Sequence, residues 1–294
     1  MKKLIYIIFA IVLFSCSKSE QQTVFYVSPL GNDKNIGSKE APFATIEKAK
    51  LVVRDLSSEK REKNITIFLR EGTHLVTETI VFGLEDSGFK STKVSYEAYK
   101  DETPIISSGI AVKGWEKLME YPVSLPNVAK GNVWVADIPE GIDRFYTMFD
   151  GQTRIPTTHK EGFTFKDIKY EGAKSMNVLH NKDRYLLRKI EFEGGVLKNW
   201  PNLEDIEVGF APVPWTMNLL ELESVDEKNG IAWTVLEANA PPAAKKSHTK
   251  PWVENVIDHL DSPGHWVVNT QERKIYYWPK EGEPSANLVV PKLK

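Results

Sequence analysis

The chain has 294 residues, of which 41% are hydrophobic and 27% are charged, so it is long enough to bury a sizeable core. Its 38 basic and 40 acidic residues give a formal net charge of −2, and no basic stripe with interleaved aromatic residues occurs. This balance argues against nucleic acid as a partner. The only cysteine, Cys16, excludes an intramolecular disulfide.

The N-terminus has the pattern of a bacterial lipoprotein signal. Lys2 and Lys3 precede an apolar run over residues 4–14, which is too short to span a bilayer. Residues 13–16 (Leu-Phe-Ser-Cys) match the lipobox, so we expect residues 1–15 to be removed and Cys16 to carry lipid. The alternative is an ordinary signal peptide with an incidental cysteine. The lipoprotein interpretation predicts a lipid-anchored protein of the cell envelope, at the outer membrane on its periplasmic or outer surface, with residues 16–24 as a linker.

Residues 25–70 predict a strand, a glycine-rich loop, an amphipathic helix and a second strand. Ile46, Ala49, Val53 and Leu56 recur at helical spacing and predict one buried stripe. Thr45 is a plausible N-cap for this helix. A strand and a helix ahead of a ladder of short strands are typical of the capped end of a β-solenoid.

The strand candidates that follow are spaced about one solenoid coil apart. Residues 65–69 correspond to 94–98, and residues 79–82 to 105–107. Solenoid coils usually take ~20 to 30 residues, so the spacing fits two stacked coils. A small antiparallel sheet fits the same spacing equally well.

The tryptophans indicate a domain boundary near Gly114. Residues 25–113 contain none, and all eight follow. Beyond Gly114, turn residues separate hairpin-like pairs of strands within 145–156, 220–235 and 266–278, which predicts a β-sandwich-like domain. Trp233 and Trp266 alternate with apolar strand residues and are expected in its core.

The residues that could carry chemistry form no specific motif. The six histidines lack metal-ligand spacing, and no nucleotide-binding or nucleophile motif occurs, so no metal or cofactor is predicted. The loop residues Asp33, Asn35 and Gly37 fit a turn better than a calcium loop, which would need a closing glutamate.

Several polar pairs allow two interpretations. Asp258 and Asp261 with His259 and His265 could form an acid–base cluster or be polar loop positions. Glu85-Asp86, Glu221 with Glu223, and Asp258 with Asp261 are as consistent with solvated surface as with the paired carboxylates of glycoside hydrolysis. No catalytic residue is therefore assigned.

Trp252 is the tryptophan expected to be exposed, because it follows Pro251 and the preceding loop. It is a possible glycan contact, since aromatic faces pack against sugar rings, or else a packed residue.

Two sets of segments carry a resemblance to a known group of proteins. The first set is FYVSPLGNDKNIGSKEAPFATIEKAKLVVRDL, TIFLREGTHLVTETIVF and YEAYKDETPIISSG, and the second is GWEKL, NVWVADIP, FYTMFDGQTRIPTTH and GHWVVNTQERKIYYWP. They resemble, respectively, the N-terminal cap with first coils and the β-rich insertion domain of right-handed parallel β-helix proteins that act on polysaccharides, most closely glycoside hydrolase family 141.

The resemblance implies a mainly all-β fold. It would have a cap and first coils over 25–113 with one capping α-helix, an inserted β-sandwich-like domain over 114–285, and a returning first strand of a truncated β-helix over 286–294. It also implies the N-terminal part of a membrane-anchored glycoside hydrolase acting on complex polysaccharide or oligosaccharide. The catalytic carboxylates would lie in coils after Lys294, so we expect this chain alone to be inactive. A polysaccharide lyase on the same scaffold, or a non-catalytic surface lipoprotein that binds glycan or a partner, are the alternatives.

Overall fold

The computed structural model describes residues 22–56, 62–89, 91–166, 181–193, 195–240 and 250–293. It is mainly β, with 36% strand and 11% helix, which confirms the expected class. The chain divides into unit 1, residues 1–107, and unit 2, residues 108–294. The division lies slightly before Gly114, where the tryptophan content changes. Cys16 and the predicted signal peptide lie outside the described residues, and none of the described helices is long and apolar enough to cross a membrane.

Unit 1 contains one helix and five strands. They are β1 (Thr23–Val27), α1 (Ile46–Arg54), β2 (Ile65–Leu69), β3 (Gly72–Leu75), β4 (Val94–Ala98) and β5 (Pro104–Ser107), with a 3₁₀ turn at Leu84–Asp86. One sheet has the order β1-β2-β4, and the other pairs β3 with β5. Every pair is parallel, so the alternative of a small antiparallel sheet is wrong.

The two parallel ladders differ in how well the sequence predicted them. β2 pairs with β4 in the expected register, with Ile65 opposite Val94. In the second ladder β5 pairs with Gly72–Leu75, whereas residues 79–82 form no strand. The expected pairing of 79–82 was wrong because the turn at Arg70 and Glu71 is tight enough for the next strand to begin at Gly72.

Helix α1 starts where the sequence predicted. The Thr45 side chain accepts a hydrogen bond from the Lys48 backbone N–H at 3.0 Å. Asp33 stabilises the same end, since its carboxylate accepts hydrogen bonds from the Ala44 and Thr45 backbone N–H groups and from the Thr45 hydroxyl. Asp33 is therefore a cap for the helix entrance. The buried stripe of α1 packs on the inward face of β1 and β2, in a core of Val27, Phe43, Ile46, Ala49, Val53, Ile65, Ile67 and Leu69.

Unit 2 consists of short strands in antiparallel sheets. They are β6 (Gly109–Ala111), β7 (Glu116–Lys117), β8 (Trp134–Asp137), β9 (Met148–Asp150), β10 (Thr153–Ile155), β11 (His159–Glu161), β12 (Lys189–Glu191), β13 (Glu207–Val213), β14 (Thr216–Asp226), β15 (Ile231–Thr234), β16 (Trp252–Glu254), β17 (His265–Asn269), β18 (Lys274–Trp278) and β19 (Leu288–Pro291). Its 3₁₀ turns are Asn127–Ala129, Asn181–Arg188, Leu203–Asp205 and Ile257–His259.

Three sheets organise unit 2. Their orders are β10-β9-β19-β6, β11-β16-β13-β14-β15-β12 and β17-β18-β8-β7. The three hairpins that turn residues predicted are present as β9–β10, β14–β15 and β17–β18. Side chains of the two four-stranded sheets share one core, which includes Met148, Trp266, Ile275, Leu288 and Val290. The six-stranded sheet covers a second core, which includes Ile190, Phe192, Val208, Phe210, Leu222 and Val253.

The two tryptophans expected in a core have different environments. Trp266 is 1% exposed and stacks on Phe145, with ring centroids 5.4 Å apart. Trp233 is only partly buried, because its neighbours Ala232 and Thr234 are the residues of β15 that point inward. The expectation for Trp233 was wrong, because the inward-facing positions of β15 are shifted by one residue from those that we predicted.

The last strand belongs to unit 2. β19 lies between β9 and β6 and pairs antiparallel with both, and its Leu288 and Val290 side chains are fully buried. We expected residues 286–294 to be a strand that returns to the parallel coils. The apolar residues of β19 alternate and fit the core between two antiparallel sheets. That β19 leads into further coils stays a prediction.

Candidate functional site

A row of ionisable side chains crosses the face of the six-stranded sheet opposite its core. In β11, β16, β13 and β14 the residues paired directly across the strands are His159, Glu254, Glu207 and Glu221. Their strand neighbours Val208, Val253 and Leu222 are buried on the other face. We call Glu254, Glu207 and Glu221 the glutamate row. Residues opposite each other on neighbouring strands have Cβ atoms ~4.5 to 5.5 Å apart, so these carboxyl groups influence one another.

Glu207, in the middle of the row, has the most perturbed carboxyl group. Burial raises its pKa from 4.5 to about 7, the charge of Glu254 adds to this shift, and Arg144 opposes it. Glu207 therefore holds its proton up to near-neutral pH. A carboxyl group that keeps its proton to near-neutral pH beside other carboxyl groups is the type of arrangement that acid–base chemistry uses.

Glu221 is held by two residues from the segment before β9. Its Oε1 accepts a hydrogen bond from the Tyr146 hydroxyl at 2.8 Å, and its Oε2 lies 3.0 Å from Arg144 Nη1. Burial, followed by the bond to Glu221, raises the pKa of Tyr146 to about 12. Phe145, between these two residues, is buried against Trp266 and fixes the segment. Both oxygens of Glu221 are therefore engaged.

Trp252 lies at the other end of the row and is half-buried. Its indole N–H donates a hydrogen bond to Glu254 Oε1 at 2.7 Å, and its ring stacks on His159 with centroids 5.6 Å apart. The ring also lies across the bare backbone of Gly209, where a Cβ would be 2.0 Å from Trp252 Cε2. These contacts give Trp252 a packing role in the sheet face, and its contact with glycan stays a prediction.

The space beside Glu207 is small. Residues 144–146, Thr157 and Asp205 close a hollow of about 10 Å³ over its side chain. One water needs at least ~10 to 15 Å³, so a sugar ring does not fit there. In this arrangement Glu207 is not accessible to a glycosidic bond, and the glutamate row cannot flank one.

An open cleft lies elsewhere in unit 2, between the ends of the two four-stranded sheets. It encloses about 410 Å³, within the range of small-ligand sites. Its lining combines Asp150 and Arg154 of the β9–β10 hairpin with Tyr277 and with the polar segment after β18, which contributes Lys280, Glu281, Glu283 and Ser285. This mixture of donors, acceptors and one aromatic ring suits a polar ligand of the size of a sugar ring.

The sequence-predicted polar pairs are structural where they are described. Glu85 and Asp86 both bind Arg54. Asp258 binds Lys198 at 2.9 Å, while burial lowers the pKa of His259, which packs at the edge of Trp200. His265 contacts Ser262 instead.

Sequence reasoning found Glu221 and Trp252 but missed Glu207, Glu254, Arg144 and Tyr146. The available signal was one glutamate next to an apolar valine in each of Glu207–Val213 and Trp252–Glu254, since neighbouring residues of a strand point to opposite faces. Strand order, which sets them side by side, could not be read from the chain. Within the described ranges, no group of three or more His, Cys, Asp or Glu side chains is arranged to hold a metal ion.

No protein-family model matches the chain. A curated relative, the uncharacterized protein YwoF of Bacillus subtilis (strain 168), is 35% identical over 82 residues, which are 28% of this chain and 15% of YwoF. The chain thus matches only a small part of that relative's length.

Two solved structures overlap with the chain. A protein described as a glycoside hydrolase superposes with a TM-score of 0.66 over 91% of this chain and 45% of its own, at 20% identity. The complex of XylC with xylose gives a TM-score of 0.30 over 79% of this chain and 31% of its own, at 13% identity, which is too low for an argument about the fold. The chain shares its fold with slightly less than half of a protein described as a glycoside hydrolase.

Proposed function

We propose that this chain is part of a glycan-degrading enzyme. In this proposal it supplies the cap, first coils and insertion domain of a right-handed parallel β-helix hydrolase similar to family 141. The observation that carries the proposal is the superposition of 91% of the chain on a protein described as a glycoside hydrolase. The parallel ladders of unit 1 and the capping helix α1 support the solenoid part, because stacked coils pair in parallel and need a covered end.

Within that enzyme, the role of this chain is to contact polysaccharide, and cleavage takes place elsewhere in the enzyme. Hydrolysis needs two carboxyl groups on either side of the scissile bond. Glu207 is covered, Glu221 is bound at both oxygens, and Glu254 is bound to Trp252. Because these contacts occupy the carboxyl groups of the glutamate row, they also fit the second candidate, a surface lipoprotein that binds glycan without cleaving it.

The test is a paired binding and turnover assay on purified protein without residues 1–16. Plant, algal and host polysaccharides are screened for retardation in affinity gels and for release of reducing ends. We expect at least one polymer class to retard the protein and none to be cleaved. If no polymer binds, the proposal of a glycan-acting protein is wrong. Cleavage that is lost in Glu207→Gln but kept in Glu223→Gln, an exposed glutamate of the neighbouring strand β14, would instead place catalysis in the glutamate row.

Anchoring at the bacterial cell envelope through lipid on Cys16 is a separate part of the proposal. It rests on the lipobox at residues 13–16. We expect wild-type protein to fractionate with membranes and Cys16→Ala to lose lipid labelling and change electrophoretic mobility. A Cys16→Ala protein that still partitions with membranes at unchanged mobility would contradict lipidation.

A further inference from the structure

Unit 1 carries an aromatic cluster on the face of its parallel sheet that points away from the core. Tyr26 of β1 lies beside Phe68 of β2, with ring centroids 5.6 Å apart. Tyr99, directly after β4, packs edge-on against both rings, at 5.5 Å and 5.4 Å. All three side chains are half-buried, so part of each ring faces solvent.

Three cationic groups surround one of these rings. Lys39 Nζ, Arg70 Cζ and Lys100 Nζ lie 5.4, 5.0 and 5.2 Å from the centroid of Tyr99. An aromatic ring attracts cations, which is how three like charges can converge on one side chain. The interaction with Lys39 is the largest of the effects that lower the pKa of the Tyr99 hydroxyl. We call Tyr26, Phe68, Tyr99, Lys39, Arg70 and Lys100 the Tyr99 site.

Only one of the three cations is neutralised by an ion pair. Arg70 binds Glu102 with two short hydrogen bonds, and Glu102 also accepts from the Glu71 backbone N–H. Among the ion pairs of the described residues, none involves Lys39 or Lys100. Glu97, opposite Phe68, is an exposed acidic group of the same sheet face. Lys39 and Lys100 thus converge on Tyr99 without a short ion pair of their own, although the charge of Glu102 also acts on Lys39. An anion placed between the two ammonium groups would be attracted to both.

We propose that the Tyr99 site binds an acidic sugar unit of a polysaccharide. The carboxylate or sulfate of the sugar lies between Lys39 and Lys100, and the apolar face of its ring packs on Tyr26 and Phe68. Aromatic surface next to lysines that form no ion pair among the described residues fits a ligand that carries both an apolar face and a negative charge. This inference rests on the proposed function and narrows its substrate class to anionic glycans.

The test compares polygalacturonate with its methyl ester, which has the same backbone without the charge. Purified protein lacking residues 1–16 is titrated with each polymer, in wild-type form and as Lys39→Glu/Lys100→Glu. The control is Lys34→Glu/Lys93→Glu, which makes the same charge change at two other exposed lysines of unit 1. We expect polygalacturonate to bind, added salt to weaken it, and the Lys39/Lys100 variant to lose roughly tenfold or more in affinity. Control-variant binding should stay within about twofold of wild type.

Three outcomes would overturn the inference. They are equal binding of the ester and the acid, equal loss in the control variant, and binding of vesicles of phosphatidylglycerol without binding of polygalacturonate. Binding of neutral polysaccharides without the acidic one would reject this substrate class and leave the proposed function intact. The absence of binding to every polymer would reject both.

Discussion

The two units shift the pKa of partly or fully buried acidic groups in opposite directions. In unit 1 arginine hydrogen bonds hold the pKa of Asp86 and of Glu102 below their usual values. In unit 2 burial is the largest influence, and it raises the pKa of Glu207 to about 7 and raises that of Asp205. The same residue type therefore has its charge stabilised in one unit and suppressed in the other.

The difference follows from how each unit is built. Arg54 and Asp86, like Arg70 and Glu102, are 32 residues apart and connect successive passes of the chain through the parallel ladder. In the antiparallel sheet, adjacent strands instead bring three glutamates into one row with a single arginine, Arg144. A parallel ladder with paired charges and an antiparallel sheet with clustered charges should respond differently to mutation and to pH.

The largest effect we expect is a loss of stability in unit 2 alone, caused by Trp266→Ala. Trp266→Ala removes a side chain that is 1% exposed from the core shared by two sheets, and it removes the hydrogen bond from its indole N–H to the Ile155 carbonyl. Such truncations cost ~3 to 5 kcal/mol. All the tryptophans belong to unit 2, so their fluorescence during urea unfolding reports that unit alone.

The control for this prediction is Trp215→Ala, at a side chain that is 76% exposed, and we expect a change within about 0.5 kcal/mol. Hydrogen exchange of the β2 amides should be unchanged in Trp266→Ala if the units unfold separately. Equal destabilisation of β2 would contradict the division at Ser107.

A smaller effect, with a defined pH dependence, is expected at Glu207. Its folded-state pKa is above the usual 4.5, so its contribution to stability is full below about pH 4.5 and is lost as pH rises toward 7. Glu207→Gln cannot ionise, and unit 2 of the variant should gain up to ~3 kcal/mol over wild type at pH 8 and little at pH 4.5.

Urea unfolding at both pH values, followed by tryptophan fluorescence, measures this gain. Glu223→Gln is the matched control, because Glu223 lies on the neighbouring strand β14, in an exposed ion pair with Arg188. A variant that is no more stable than wild type at pH 8 would show that burial does not suppress the charge of Glu207.

Local features of the fold could be predicted from the sequence, and the pairing of distant strands could not. The stripe of α1, its Thr45 cap and the hairpins of β9–β10, β14–β15 and β17–β18 depend on residues close in the chain. The strand that pairs with β5 could not be chosen from the sequence, because either of two nearby segments, residues 72–75 and 79–82, could be extended. β14 has a bulge between Leu222 and Ser224, and the alternation on its partner β15 could be assigned to either face.

The candidate site was harder to predict for the same reason. Glu207 and Glu254 are 47 positions apart and meet only because β13 and β16 are neighbours. The cations of the Tyr99 site come from a loop, from the end of β2 and from a left-handed residue, Lys100 with φ 51°, after β4. None of these positions carries a motif, so each becomes visible only when the strand order is known.

The smallest effect we expect tests the paired charges of unit 1. Arg54→Met keeps much of the side-chain length but removes both hydrogen bonds to Asp86, at 2.9 and 2.6 Å. Asp86 retains one bond, from the Gly83 backbone N–H. We expect β2 and α1 amides to exchange up to roughly fivefold faster at pH 7, as is typical for a partly exposed ion pair.

The pH dependence of this last effect should have the opposite sign to that of Glu207. Because Arg54 lowers the pKa of Asp86, the stabilisation is present above the unfolded value of 3.8 and is lost as pH falls through the folded value. The difference between Arg54→Met and wild type should therefore shrink in acid, whereas the effect of Glu207→Gln grows in base. Arg184→Met, which breaks an exposed pair with Glu237 in unit 2, is the control and should leave β2 unchanged. A difference in β2 exchange that persists undiminished below pH 3 would mean that Arg54 acts by packing, and that the two units do not differ in how they stabilise charge.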